Sequence, residues 1–154
     1  VNDMNILEVA MKPYFVPETT TLDQQMKQFL KRKSHFALVV DEYGDLRGLI
    51  TLEDILEEIV GQISDEHDVI EQQVKELNHN SLIVEGNMTI RDLNRHRDWN
   101  IPDEEANTVA GLVIHEAQSI PSEKQVFIFN GFRYEILKRK GNRITKIKIK
   151  NLGT

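Results

Sequence analysis

Residues 48–58 read GLITLEDILEE, and within them Thr51 and Asp54 have the types and spacing to do chemistry. A Thr at the start of a helix accepts from a backbone N–H one turn in, and an acid three places on reaches back to the Thr N–H. The same spacing recurs at Thr21–Gln24 and Thr89–Asp92, so alone it says only that helices begin there. The neighbourhood of Thr51 adds to this. It stands between a strand-like run and a helix-like run, with Gly48 at the strand's start. A helix N-terminus turns free N–H groups and partial positive charge outward, and a phosphate can sit on them. The Thr51 hydroxyl can donate to a phosphate oxygen while still accepting as a cap. Asp54 can accept from both hydroxyls of a ribose. Capping and ligand binding are compatible, and the spacing leaves both open.

Other candidates are weaker. His115-Glu116 begins like a zinc-protease helix, but position 119 is Ser, so the second ligand is missing. Ser64–Asp68, SDEHD, could gather a divalent cation, yet hard cations want carboxylates converging in a fixed loop, and a solvated linker is the better reading. The five His are scattered; only His35 falls where a base could stack. There is no Cys, no G-x-S-x-G and no Gly-rich phosphate loop. No catalytic residue and no metal ligand is assigned. Arg133–Lys150 holds eight basic residues and one acid. Its alternating Lys row reads as the guard of an edge strand. No aromatic platform accompanies it, so nucleic acid is not expected as a partner.

The elements that must position Thr51 and Asp54 follow from periodicity. Met4, Leu7 and Met11 suggest a short helix ended by Pro13. Tyr14–Pro17 is extended. Leu22, Met26, Phe29 and Leu30 recur at helical spacing behind the Thr21–Gln24 box. His35–Val40, HFALVV, reads as a buried strand. The turn DEYGDLRG returns it into Leu46–Thr51, antiparallel. A second helix follows, with Leu52, Ile55, Leu56, Ile59, Val60 and Ile63 on one face and Glu53, Glu57 and Glu58 on the other. The first unit is thus strand, helix, strand, strand, helix over residues 1–63. Residues 64–73 read as an acidic linker. In the second unit, 74–154, Ser81–Glu85 is a strand and Thr89 caps a short helix. Trp99–Pro102 is a loop, and Asn107 or Thr108 caps a helix to about Gln118. Val126–Phe129 and Phe132–Arg139 flank Asn130-Gly131, a type I′ hairpin signal, and Arg143–Lys150 closes an antiparallel meander. The fold class is α+β.

Charge supports two units. Residues 1–68 carry six Lys and Arg against fourteen Asp and Glu, whereas the remainder is net basic by two. The acidic half is unsuited to a phosphate backbone. The longest apolar run is far below the ~20 residues of a membrane span, and no secretory signal is seen, so direct membrane insertion of this chain is not expected. The chain starts without Met, as a piece of a longer protein would.

The stretch VPETTTLDQQMKQFLKRKSHFALVVDEYGDLRGLITLEDILEEIVGQISDEHD resembles the second CBS motif of the CorC/HlyC group, the hemolysin-like proteins related to magnesium and cobalt efflux factors and the CNNM transporters. Its signature is the D-E-Y-G turn, the run from Gly48 to Gly61 and the acidic tail. DEEANTVAGLVIHEAQSIPSEKQVFIFNGFRYEIL with RITKIKI is similar to the group's C-terminal transporter-associated domain. It departs at Ser122-Glu123, where Gly-Glu usually follows the Pro, implying a changed turn. The resemblance implies a single CBS motif, with residues 1–12 the tail of a preceding one, then the linker and the transporter-associated domain. It implies a non-catalytic regulatory module of an ion transport protein, sensing AMP or ATP, the latter with Mg²⁺, through paired motifs. Thr51 and Asp54 would hold phosphate and ribose, and the base would lie against Val16, Pro17, His35, Phe36 and Ala37. One motif makes half a cleft, so a homodimer through the motifs is expected, with a membrane transport domain as the parent's other part. The expected location is the cytoplasm, at the cytosolic face of a membrane protein. The alternative is a structural dimerisation module that binds no nucleotide.

Overall fold

The computed structural model of the chain describes residues 14–62 and 73–153. The helix expected at 4–11, Ile63 and the acidic stretch up to Gln72 lie outside the described residues. The chain divides into two units, Val1–Glu53 and Asp54–Thr154, with the division in the first turn of a helix.

The first unit holds a three-stranded sheet in the order β1 (Phe15–Pro17), β2 (Phe36–Val40), β3 (Leu46–Thr51). β1 runs parallel to β2, and the intervening helix α1 (Leu22–Arg32) makes that crossover. The Thr21–Gln24 box is complete: the Thr21 hydroxyl accepts from the Gln24 N–H, and the Gln24 side chain accepts from the Thr21 N–H. Lys33 ends the helix in the left-handed conformation, φ 54°. β2 and β3 are antiparallel, joined by a turn that Asp41 organises, its carboxylate accepting from the N–H groups of Tyr43 and Asp45 at 2.9 Å each. Gly44 supplies the positive φ of 82° that this turn needs.

Strand alternation gives this sheet two unlike faces. Val16 and Ala37 are buried on one face, and Met26 and Phe29 of α1 are buried with them. The other face carries Phe15, Leu38 and Leu49 in one row, Phe36 beside Thr51, and Val40 beside Leu46. Leu46 is 64% exposed, Leu49 59% and Phe15 56%. Among the described residues, the run HFALVV, read from sequence as a buried strand, is buried at Ala37, half-buried from Leu38 to Val40 and exposed at Phe36.

Helix α2 (Leu52–Val60) follows β3 without a loop and buries Ile55, Ile59 and Val60. Past the undescribed stretch, β4 (Val74–Glu76) and β5 (Ser81–Glu85) form a hairpin. Helices α3 (Ile90–Arg97) and α4 (Val109–Ala117) come next, then β6 (Val126–Phe129), β7 (Phe132–Lys140) and β8 (Arg143–Asn151). Thr89 and Thr108 cap the two helices, their hydroxyls accepting from Asp92 N–H and Gly111 N–H at 3.1 Å. Asn130 and Gly131 have φ 53° and 82°, the pair of positive values a type I′ turn requires.

The five strands are antiparallel in the order β4-β5-β8-β7-β6. The last strand is thus the central one, and its Lys row guards no edge. Leu82, Val84, Tyr134, Ile136, Ile147 and Ile149 point to one face and are fully buried, with Ile90 and Leu93 of α3 and Val113 of α4. Phe129 stacks on Tyr134 with ring centres 4.5 Å apart. Burial pushes the Tyr134 hydroxyl pKa up. Gly86 lets the backbone come close: a Cβ there would lie 2.3 Å from the Ile144 carbonyl oxygen and 3.2 Å from Ala110 Cβ.

Candidate functional site

Thr51 is the last residue of β3 and half-buried; Asp54 is the third residue of α2 and exposed. The strand passes straight into the helix, because Leu52 N–H still donates to His35 O at 2.7 Å, the final rung between β2 and β3. That rung fixes Leu52, the first residue of α2, beside the start of β2. Thr51 and Phe36 are register partners, so both lie on the open face of the sheet.

The five residues expected near a base separate by face. Phe36 and Pro17 share the open face with Thr51, and both are exposed. Val16 and Ala37 lie on the opposite, buried face. His35 precedes the strand and is exposed; its backbone carbonyl is engaged by Leu52. The first turns of α2 also expose Glu53, Asp54, Glu57 and Glu58. A bare polyphosphate at this helix start would meet those carboxylates, whereas a phosphate neutralised by a divalent cation would not be repelled.

In the second unit the titratable clusters serve structure. His96 Nε2 lies 2.8 Å from Glu76 Oε1, and Arg97 pairs with the same carboxylate and donates to the carbonyls of Asn78 and His79. These contacts tie the end of α3 to the β4–β5 turn. His115 Nε2 lies 3.1 Å from Glu105 Oε2. Among the described residues, no three His, Asp or Glu side chains converge on a point that could hold a metal ion. The stretch Ser64–Asp68 lies outside them. No helix among the described residues is long and apolar enough to cross a membrane.

A three-stranded sheet with its helices, followed in the chain by an α+β domain with an antiparallel sheet, is the arrangement of a CBS motif followed by a transporter-associated domain. Residues 6–61 match the CBS domain, and residues 75–153 match the transporter associated domain of the CorC/HlyC type. The chain belongs to the CorC/HlyC family. It is 36% identical over 146 residues to the magnesium and cobalt efflux protein CorC of Vibrio cholerae, covering 94% of this chain and 50% of that protein. It is 35% identical over 145 residues to the inner membrane protein YfjD of Escherichia coli, covering 94% of this chain and 34% of that protein. The chain thus spans half the length of these relatives or less. A CBS-domain pair with bound AMP from Klebsiella pneumoniae is 58% identical over 36% of this chain and 43% of its own, with a TM-score of 0.35.

Proposed function

We propose that this chain is the regulatory part of a magnesium or cobalt transport protein and senses adenine nucleotide when its CBS motif is paired with another. The observation that carries this reading is the open face of the first sheet. Phe15, Phe36, Leu46 and Leu49 stand exposed beside Thr51, and an apolar face of this kind marks a surface built to be covered. A second motif on it would complete a cleft with Thr51 at its wall. Thr51 would then hold phosphate and Asp54 ribose. Phe36 and Pro17 offer apolar contact for a base on that same face. The acidic first turns of α2 favour AMP, or ATP carrying Mg²⁺, over free ATP. Binding moves the packing of two motifs only by the nucleotide's differential affinity for their arrangements.

Titration calorimetry with AMP and with ATP·Mg, beside mass by light scattering, tests the reading. One nucleotide per chain in a dimer supports it. Asp54→Ala should lower nucleotide affinity about tenfold or more, as loss of a charged hydrogen bond does. Folding stability should change by no more than ~1 kcal/mol, the worth of an exposed cap. Equal affinity in both proteins removes Asp54 from the site. The second reading is a module that only dimerises. The continuous apolar face favours it, since pairing needs no ligand. A folded dimer that gives no heat with either nucleotide selects it.

A further inference from the structure

The five-stranded sheet has a face that no described helix covers. Its residues follow from register. One row across the sheet is Lys75, Ile83, Lys148, Glu135 and Val126; the next is Ser81, Lys150, Arg133 and Ile128; a third is Glu85, Lys146 and Lys138. Six cations therefore stand against two acids. Both acids are engaged, Glu85 with Lys146 at 3.5 Å and Glu135 with Arg133 at 3.2 Å. Among the described residues, Lys75, Lys138, Lys148 and Lys150 have no carboxylate within ion-pair distance. Ile128 is 66% exposed at the margin of this face. The charge is spread over a broad sheet surface, and the sheet's aromatic side chains Phe129, Phe132 and Tyr134 stack among themselves on the other side.

The geometry points to this face as a docking surface for an anionic lipid membrane. Spread lysines with no ion-pair partner among the described residues, on a broad face with an exposed Ile at its rim, fit a plane of anionic headgroups. Single-stranded nucleic acid would want a stacking platform, which this face lacks. The chain's net charge is −6, but charge acts on docking mainly within a Debye length of ~8–10 Å, and on this face cations exceed acids. The choice of a lipid surface over a soluble acid rests on the reading that the chain works beside a membrane. Nucleotide titration tests the sensing, and lipid partition tests this face, so either can fail alone.

The experiment is co-sedimentation of the whole chain with phosphatidylcholine vesicles, with and without phosphatidylglycerol, at low and high salt. The wild type should bind only the anionic vesicles and lose them at high salt. The variant K75Q/K148Q/K150Q should partition about a hundredfold less, since each basic residue near such a surface contributes roughly fivefold. The variant K27Q/K31Q/K33Q, which removes the same charge from the first unit, should bind as the wild type does. Should the triple face variant fail to fold by thermal unfolding, K148Q alone is read, with a loss of about fivefold. No wild-type binding to anionic vesicles, or equal loss in the two triple variants, overturns the proposal. Binding of polyglutamate through the same three lysines without vesicle binding also overturns it and assigns the face to an acidic peptide.

Discussion

Among the described residues, the two sheets each have one packed face and one bare face within their own unit, and the bare faces are opposites. In the first unit it is Phe15, Phe36, Leu46 and Leu49; in the second it is Lys75, Lys138, Lys148 and Lys150. Apolar surface gains by leaving water, so a close-fitting cover would stabilise the first face. Lysines gain most while they keep part of their hydration, so the second calls for a wet, charged one. The packed sides share one feature: among the described residues, the first unit buries Gln25 with both amide atoms unpartnered, and the second buries the Tyr134 hydroxyl in the same state. Two α+β units in one chain are thus built for different company.

The contrast can be broken from either side. The largest effect should come from Gly86→Ala, because the new Cβ would press on the Ile144 carbonyl oxygen. A loss of about 3 kcal/mol is expected, as for an overpacked core, read from denaturant unfolding followed at Trp99, which lies in the second unit. A near-neutral change would mean that the packed side of this sheet is less tightly seated than the Gly86 approach implies. Leu49→Glu should be next. It places a charge in the middle of the apolar face and should weaken self-association by about 2 kcal/mol, read as a shift toward monomer in light scattering. An unchanged mass would show that the apolar face is not the one that pairs. The smallest effect belongs to Tyr134. Its folded pKa lies above the unfolded value of 10.0, so the folded state holds the proton longer. The stability this gives is full below pH ~10 and falls as pH rises past it, because only the unfolded chain ionises freely. Tyr134→Phe should flatten that alkaline fall and change neutral-pH stability by about 1 kcal/mol or less, since an unpartnered hydroxyl leaves with it.

Much of the local structure was legible because it is written in neighbouring residues. Thr21–Gln24, Thr89, Thr108 and Asn130-Gly131 act within four positions of themselves, and each does in the structure what its chemistry says. The order of the second sheet was not legible. A strand that alternates Ile and Lys has one dry and one wet face whether it sits at an edge or in the centre. What places β8 between β5 and β7 is its pairing with Ser81–Glu85, residues far back in the chain. The bare side of β2 was hidden for a different reason. HFALVV has the composition of a strand covered twice, and the second cover is not supplied by the described residues. For the candidate site, the sequence brought Thr51 and Asp54 together by spacing. It could not divide Phe36 and Pro17 from Val16 and Ala37, since that requires the register of β1 on β2 and of β2 on β3.

The central place of β8 also sets the order of events when the polypeptide is made. Synthesis delivers the β4–β5 hairpin early and the β6–β7 hairpin later, and neither has a neighbour on its inner side until β8 arrives. Two-stranded ribbons are marginal in water, so both halves wait as loose hairpins. The final strand then closes the sheet in one step, joining Ser81 to Lys150 and Phe132 to Asn151. Such long-range closure is slow compared with helix formation. A polypeptide cut before Arg143 would therefore keep two separate hairpins with no strand to join them, so the sheet is all or nothing with respect to β8.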